Sequence, residues 1–299
     1  MTKEIFLITS LSIQGVFVLG DIVDRCFQRS PSLKEEPFKP QTLVFLILMI
    51  LLYGGIQMAG LALIPKTEIL IEGIRGIIPE ISFLRSPPPA FTSLGWVLLG
   101  IAGFYVAGFW DYMVHRFLSH SRFLWFTHEY HHLPNQFFLA LPGFCVRPFL
   151  VVAVFPSTLG TLLTLCWGLS LLGYTELALM PLIYSVILVK LIILLATHSS
   201  WCLRLRWMHH LFKWVAVTTP QEHELHHTVD LQGNFGNFTT LWDRVLGTYL
   251  DPTREENRGH RLGLAYDQDF LGAITMGKLK LSPKLRKYFQ VDRYCNIQS

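Results

Sequence analysis

Residues 42–64 read TLVFLILMILLYGGIQMAGLALI, a run without one charged side chain. As a helix rising 1.5 Å per residue it covers the roughly 30 Å of bilayer hydrocarbon, for which about 20 apolar residues suffice. Inside lipid a lone segment must satisfy its own backbone N–H and C=O groups, so the run predicts a transmembrane helix. Working outward, further apolar segments lie at about 5–20, 92–110, 147–173 and 176–197. The 299-residue chain is 51% hydrophobic with a mean hydropathy of +0.39. Its charged fraction is 15%, where soluble domains average about 25%. These patterns exclude an ordinary soluble domain and predict an all-α, multi-pass integral-membrane helical bundle.

The first segment is short. Lys3 precedes it, Asp21 follows it, and no small-residue cleavage site is present, so it reads as a retained membrane segment or a half-buried anchor rather than a signal peptide. A stretch punctuated by Pro and Gly, 65–91 with SPPPA, separates the second and third segments. Lys190 interrupts the fifth, roughly 12 Å of helix from its end. An intramembrane Lys is a functional candidate, but snorkelling of the ammonium to the interface is the simpler expectation. Cys26, Cys145, Cys166, Cys202 and Cys295 are odd in number and lack a CxxC pair, so they predict neither a disulfide framework nor a thiolate metal site.

The fourth and fifth segments make a hairpin, which returns the chain at His198 to the side that carries residues 111–146. Over half of the 25 Lys and Arg fall in residues 201–299, and such a bias marks the cytoplasmic side. The polar regions together form a cytosolic, histidine-rich cap.

Eight of the twelve His fall in three groups. His115 and His120 lie in WDYMVHRFLSH (110–120), His128, His131 and His132 in HEYHH (128–132), and His223, His226 and His227 in HELHH (223–227). The i, i+3, i+4 spacing of the two triplets predicts three imidazoles along one helical face. Two such triplets on one membrane side exceed what structural His explains and predict metal binding. Thr219-Pro220-Gln221-Glu222 reads as a capping box with Pro at the first helical position, so the third group opens a helix. His115 and His120 are five apart, about 140° around an ideal helix. Both meet one site only if the helix carries a local break or bulge. His198, ending the fifth segment level with the triplets, is an expected ninth ligand. His209 and His210, in the interfacial pattern RWMHHLFKW (206–214), are weaker candidates, and His260 reads as a surface residue.

Imidazole suits Zn, Cu, Fe and Ni. One zinc takes three or four protein ligands, so eight or more clustered His match two metals with open positions. A di-zinc hydrolase would more often use bridging carboxylates, whereas Glu129 and Glu224 sit off the His face of each triplet, as outer acceptors or surface charges. Asp111, four before His115, is either the acceptor that fixes that ring's tautomer or a solvated boundary residue. Asn237 and Asp243 are either acceptors for ligand rings or a helix cap and a surface partner of Arg244.

The pieces WDYMVHRFLSH, FLWFTHEYHH, THSS, TPQEHELHH and GNFGNFTTLWDRVLGT run in this order from about 110 to 250 and resemble the fatty acid hydroxylase/sterol desaturase superfamily. On that footing 92–250 is the catalytic domain, 1–91 holds N-terminal membrane segments and a loop, and 251–299 is a cytosolic tail. The resemblance implies two Fe ions (a di-iron centre) held by His115, His120, His128, His131, His132, His198, His223, His226 and His227, with O2 as oxidant. It implies electrons from an external donor, of cytochrome b5 or ferredoxin type with a reductase. The reaction implied is hydroxylation of a sterol-like or long-chain lipid, since HELHH followed by GNFGNFTTLWDR is similar to the sterol-acting branches. A desaturase using the same centre is the alternative. RWMHH stands where a proline-containing link is usual, which leaves His209 and His210 as candidates for a tenth ligand. The expected location is the endoplasmic reticulum in a eukaryote or the inner membrane in a bacterium. No GxGxxG or HPGG motif is present, so the reductase is separate, with the basic tail a docking face; nothing points to nucleic acid.

Overall fold

The computed structural model describes residues 3–27, 40–78, 92–134, 147–174 and 177–293. Helices α1 (Lys3–Phe27) and α2 (Pro40–Leu61) precede the short α3 (Thr67–Ile77). Helix α4 (Ser93–Val114) runs on into a π-helical turn, His115–Ser119, and is followed by α5 (Glu129–His132). Two more long helices, α6 (Leu150–Leu171) and α7 (Met180–Thr197), lead to α8 (Ser200–Leu203), α9 (Arg206–Phe212), α10 (Pro220–His226), α11 (Leu241–Val245), α12 (Phe270–Ile274) and α13 (Pro283–Tyr288). No strand occurs among the described residues, only the isolated bridges Val217–Thr239 and Thr228–Leu262. The protein is an all-α membrane bundle.

Among the described residues five helices, α1, α2, α4 with its π turn, α6 and α7, are long and apolar enough to cross a bilayer. They coincide with the five apolar runs. The first holds 18 suitable residues, Glu4–Asp21, or about 27 Å of helix, close to the hydrocarbon thickness. The stretch 65–91 contains an element that its Pro and Gly content concealed. In α3, Ile71 and Ile74 form one buried face against Leu162 and Leu169 of α6 and Leu182 of α7, while Glu68 and Glu72 are exposed. Residues 79–91, with SPPPA, lie outside the described residues, as do Cys145 and Cys295; Cys166 and Cys202 are buried free thiols.

Helices α4 and α6 meet where Trp110 fills the space left by Gly160. A Cβ at residue 160 would lie 2.3 Å from the indole. The ring nitrogen donates to Thr164 Oγ1 at 2.9 Å, which satisfies the polar handle within the membrane layer. Trp242 of α11 donates to the Tyr105 carbonyl (2.9 Å) and packs on Phe109, which docks the GNFGNFTTLWDR segment on α4.

Residues after 250 do not trail away. Leu264, Phe270, Ala273 and Val291 share a buried cluster with Phe45 and Tyr53 of α2 and with Tyr130 and Leu133 beside the second His group. The Tyr53 hydroxyl donates to the Phe270 carbonyl, and Thr42 Oγ1 to Gln290 Oε1 at 2.8 Å. The segment expected to be a tail thus closes the cap over α2 and α5.

Candidate metal centre

The local chain path explains how the first pair converges. The N–H of His120 donates to the His115 carbonyl at 3.1 Å, an i→i+5 bond that defines the π turn. The extra residue rotates His120 back toward His115, and their ring centroids are 5.0 Å apart. This is the bulge that the five-residue spacing requires.

All nine expected ligands come together, in two groups. His115, His120, His128, His132 and His226 bring one nitrogen each within 4.8 Å of one another, and so do His131, His198, His223 and His227. The triplets do not serve one group each, as three imidazoles on a single face would. In each, the i and i+4 rings stay together (His128 and His132, Nε2 to Nε2 3.1 Å; His223 and His227, 3.1 Å), and the i+3 ring crosses to the other group. The groups abut, His132 stacking on His227 with centroids 4.5 Å apart. Neither contains a carboxylate.

Hydrogen bonding tells which nitrogen is bare. The Nδ1 of His115 lies 2.5 Å from the Phe235 carbonyl, that of His226 3.0 Å from the Gly233 carbonyl, and that of His198 3.0 Å from the Leu194 carbonyl. A carbonyl only accepts, so each Nδ1 carries the proton and each Nε2 is an exposed lone pair. His131 Nε2 is also bare, because the donor-only guanidinium of Arg147 lies 3.2 Å from it. Bare nitrogens then face one another, as with His198 and His131 at 3.4 Å, while the buried Nε2 atoms of His120 and His226 have no partner. Converging lone pairs repel unless a cation sits between them. Two imidazoles bound at right angles at about 2.1 Å are about 3 Å apart, which matches the observed 2.9–3.1 Å contacts of His115 with His128 and of His223 with His198 and His227. The nine residues fit two metal ions.

Protonation favours the same state. Burial and then the neighbouring His226 push His120 down to about 2. Burial and then Arg147 push His198 to about 3 and His226 to about 4, the latter against the Gly233 hydrogen bond that raises it. His128, His131, His132, His223 and His227 are all held well below the ordinary imidazole value, chiefly by burial. Neutral imidazole is the ligating form.

The outer partners differ from those expected. Asp111 does not bond His115; its Oδ2 accepts from Asn237, from the side chain at 3.0 Å and the main chain at 3.3 Å. Asp243 accepts from no ring. It accepts from the N–H groups of Phe235 (2.7 Å) and Gly236 (2.9 Å) and from Thr248 Oγ1 (2.8 Å). The ring acceptors are instead backbone carbonyls: those of Gly233 and Phe235, in the loop that Asp243 holds, and that of Leu194 on α7. Gly236 is required there, since a Cβ would sit 2.0 Å from the Thr239 carbonyl. Asn234 adopts φ 50° and bridges Glu222 and Leu250 through its amide. A motif of glycines and amides signalled this loop, but ring acceptors supplied by the main chain leave no mark in side-chain identity.

Other residues fall as follows. The capping box of Thr219 and Glu222 is present, with Pro220 opening α10. Glu222 is fully buried and also accepts from Tyr249 at 2.9 Å. His209 lies behind it, 3.7 Å from its carboxylate, and His210 is exposed, so neither joins a group. Glu129 is buried and accepts from Tyr266 (2.6 Å) and Gln268 (3.1 Å). Asp21, on α1, was not singled out by any motif. It is fully buried, and its Oδ1 accepts from Ser199 Oγ at 2.6 Å and from the Trp201 N–H at 3.2 Å, which pins the chain next to His198.

Among the described residues, two cavities reach the centre. One of about 310 Å3 lies among α4, α6 and α7 and ends on His115 and His128. The other, about 530 Å3, reaches His120, His132 and His226 from the cap, past Trp125 and Tyr266. Lys190 lines the first rather than turning outward, with its Nζ 4.2 Å from the centre of the Phe238 ring.

Membership follows from the stretch that builds this centre. Residues 100–248 match the family model described as fatty acid hydroxylase, and the chain belongs to that family. Over 157 residues it is 29% identical to the ornithine lipid hydroxylase OlsE of Rhizobium tropici. The match takes in 52% of this chain and 42% of that protein, so the chain spans less than half the length of this curated relative. No solved structure matches it.

Proposed function

We propose that the protein is a membrane lipid hydroxylase that holds two iron ions in its two histidine groups. The observation that carries this reading is the pair of all-imidazole groups, free of carboxylate, one of which opens into a cavity among membrane-spanning helices. Bound there, the ions would supply activation of O2 for oxidation of an unactivated C–H bond. In the balanced reaction C–H becomes C–OH with one oxygen atom of O2. The other atom leaves as water, using two electrons and two protons from an external donor of cytochrome b5 or ferredoxin type.

The protein's own residues do three things in this scheme. The carbonyls of Gly233, Phe235 and Leu194 fix the tautomer of three rings, so that Nε2 is presented without a proton. The apolar walls from α6 and α7, among them Leu150, Val154 and Leu194, admit a long-chain or sterol-like lipid sideways from the bilayer and exclude bulk water. The basic C-terminal region supports a cytoplasmic centre, at the endoplasmic reticulum or a bacterial inner membrane according to the organism.

The test is metal analysis of the purified protein together with mass spectrometry of lipids from cells with and without it, under ¹⁸O2. Two irons per chain and a product heavier by one labelled oxygen atom bear the proposal out. A product lighter by two hydrogens identifies a desaturase. Zinc-dependent turnover without O2 overturns the reading.

A further inference from the structure

Part of the histidine cap lies deeper than the metal centre. Tyr105 is about 7 Å of helix inside the end of the apolar run 92–110, on the same face of α4 as the exposed Leu94, Leu98 and Ile101. Its hydroxyl donates to the Val215 carbonyl, and its own carbonyl accepts from Trp242. On the other flank Lys190 of α7, about 12 Å of helix before His198, sets its Nζ 4.2 Å from the centre of the Phe238 ring. Two membrane-spanning helices therefore hold residues 215–217 and 236–242 at the level of their own apolar runs. Non-helical backbone at that depth is tolerated only where protein satisfies its polar groups. Here the two segments satisfy each other. Val217 and Thr239 form an antiparallel bridge. The Thr218 N–H donates to the Phe238 carbonyl at 3.1 Å, and the Thr240 N–H to the Ala216 carbonyl at 2.8 Å. The hydroxyls of Thr239 and Thr218 donate to the carbonyls of Ala216 (2.6 Å) and Gly236 (2.7 Å).

The side chains flanking this pair are apolar and uncovered. Trp214 is 82% exposed, and Leu211, Val215, Val245 and Leu246 are exposed as well. Such a patch marks a binding face, and Trp is favoured where membrane meets water. The Lys213 ammonium lies 5.5 Å from the Trp214 ring, on a stem long enough to carry its charge up to the head groups. We propose that residues 211–215 and 245–246 insert as a re-entrant wedge into the acyl layer of the leaflet on the side of the histidine centre. Membrane lipid is the partner of this face, because the face continues the outward stripe of α4 through Tyr105. Phe238 of the paired segment also lines the cavity that ends on His115 and His128, so the inserted piece is one wall of that cavity.

The experiment places the full-length protein in phosphatidylcholine nanodiscs and takes the Trp214 emission as the difference between wild type and Trp214→Phe. Phosphatidylcholine brominated on its acyl chains quenches only indoles that touch the hydrocarbon. It should remove most of the Trp214 emission, while iodide in the water should leave it. Quenching by iodide and not by the brominated lipid would put this face in water and overturn the proposal. Protection from both would show protein on the face, such as a second copy of the chain, and overturn it equally. If Trp214→Phe alters the gel-filtration profile, Val245→Trp in the wild-type background reads the same face. Its added emission should be lost in brominated nanodiscs and kept in iodide, and the reverse result counts against insertion. Neither readout involves metal or turnover, so failure of the hydroxylase reading would leave this result standing.

Discussion

His115 and His226 present bare Nε2 atoms because the carbonyls of Phe235 and Gly233 can only accept. Asp243 holds that loop through two buried N–H groups. Asp243→Ala leaves both without a partner and should cost about 3 kcal/mol or more. The expected outcome is a lowered melting temperature together with loss of metal from the five-histidine group, read by calorimetry and elemental analysis. Within the four-histidine group, His223→Ala should lower bound metal from about two ions per chain to about one, since its neighbours His198 and His227 share no nitrogen with the other group. The low imidazole values also give the metal-free protein a pH dependence. His226 at about 4 and His198 at about 3 lie below the ordinary 6.5. Above pH 6.5 neither folded nor unfolded chain takes up these protons. As the pH falls, the unfolded chain binds protons that the folded one refuses, so stability is lost progressively from about pH 6.5 down toward 3. Thermal unfolding of metal-free protein should therefore show a falling melting temperature between pH 7 and pH 5; a flat profile would contradict the neutral, buried state.

At the scale of elements, the π turn is what makes His115 and His120 neighbours. Deleting Phe117, an exposed residue inside it, should restore an α-helical path and swing His120 by about 100°. Metal should then be lost from the five-histidine group, while the helix content seen by circular dichroism is kept. The need for such a bulge was legible in the spacing, as were the capping box of α10 and the five long helices, because each rests on residues within a few turns of one another. Helix α3 was equally local, with its Ile71 and Ile74 face, but Gly73 and Gly76 and the adjoining proline-rich stretch obscured the period. The binding of Asp21 to the chain after His198 was not legible, since the partners are 178 residues apart.

For the whole molecule, the cap is closed by chain ends that carry no family motif. Phe270 is fully buried between α2 and the second histidine group. Phe270→Ala should cost about 3–5 kcal/mol through the cavity it leaves, enough to threaten a marginally stable fold. In detergent this should appear as a lower unfolding temperature and earlier aggregation on gel filtration, against an unchanged profile if residues 251–293 were an independent tail.

The sequence by itself determined the membrane bundle, the helices that cross, and the nine histidines that gather. Hydrophobic length, capping and i, i+4 spacing are properties of contiguous residues, and the physics that reads them acts locally. Only the tertiary structure decided how those histidines divide. Each triplet gives two rings to one group and one to the other, with His115 at the end of α4 touching His128 and His226, and His198 at the end of α7 touching His131 and His223. It also decided that Lys190 faces inward, and that main-chain carbonyls rather than Asp111, Asn237 or Asp243 orient the rings. Those outcomes depend on which distant backbone lies within 3 Å of a given nitrogen, and no spacing along the chain encodes that distance.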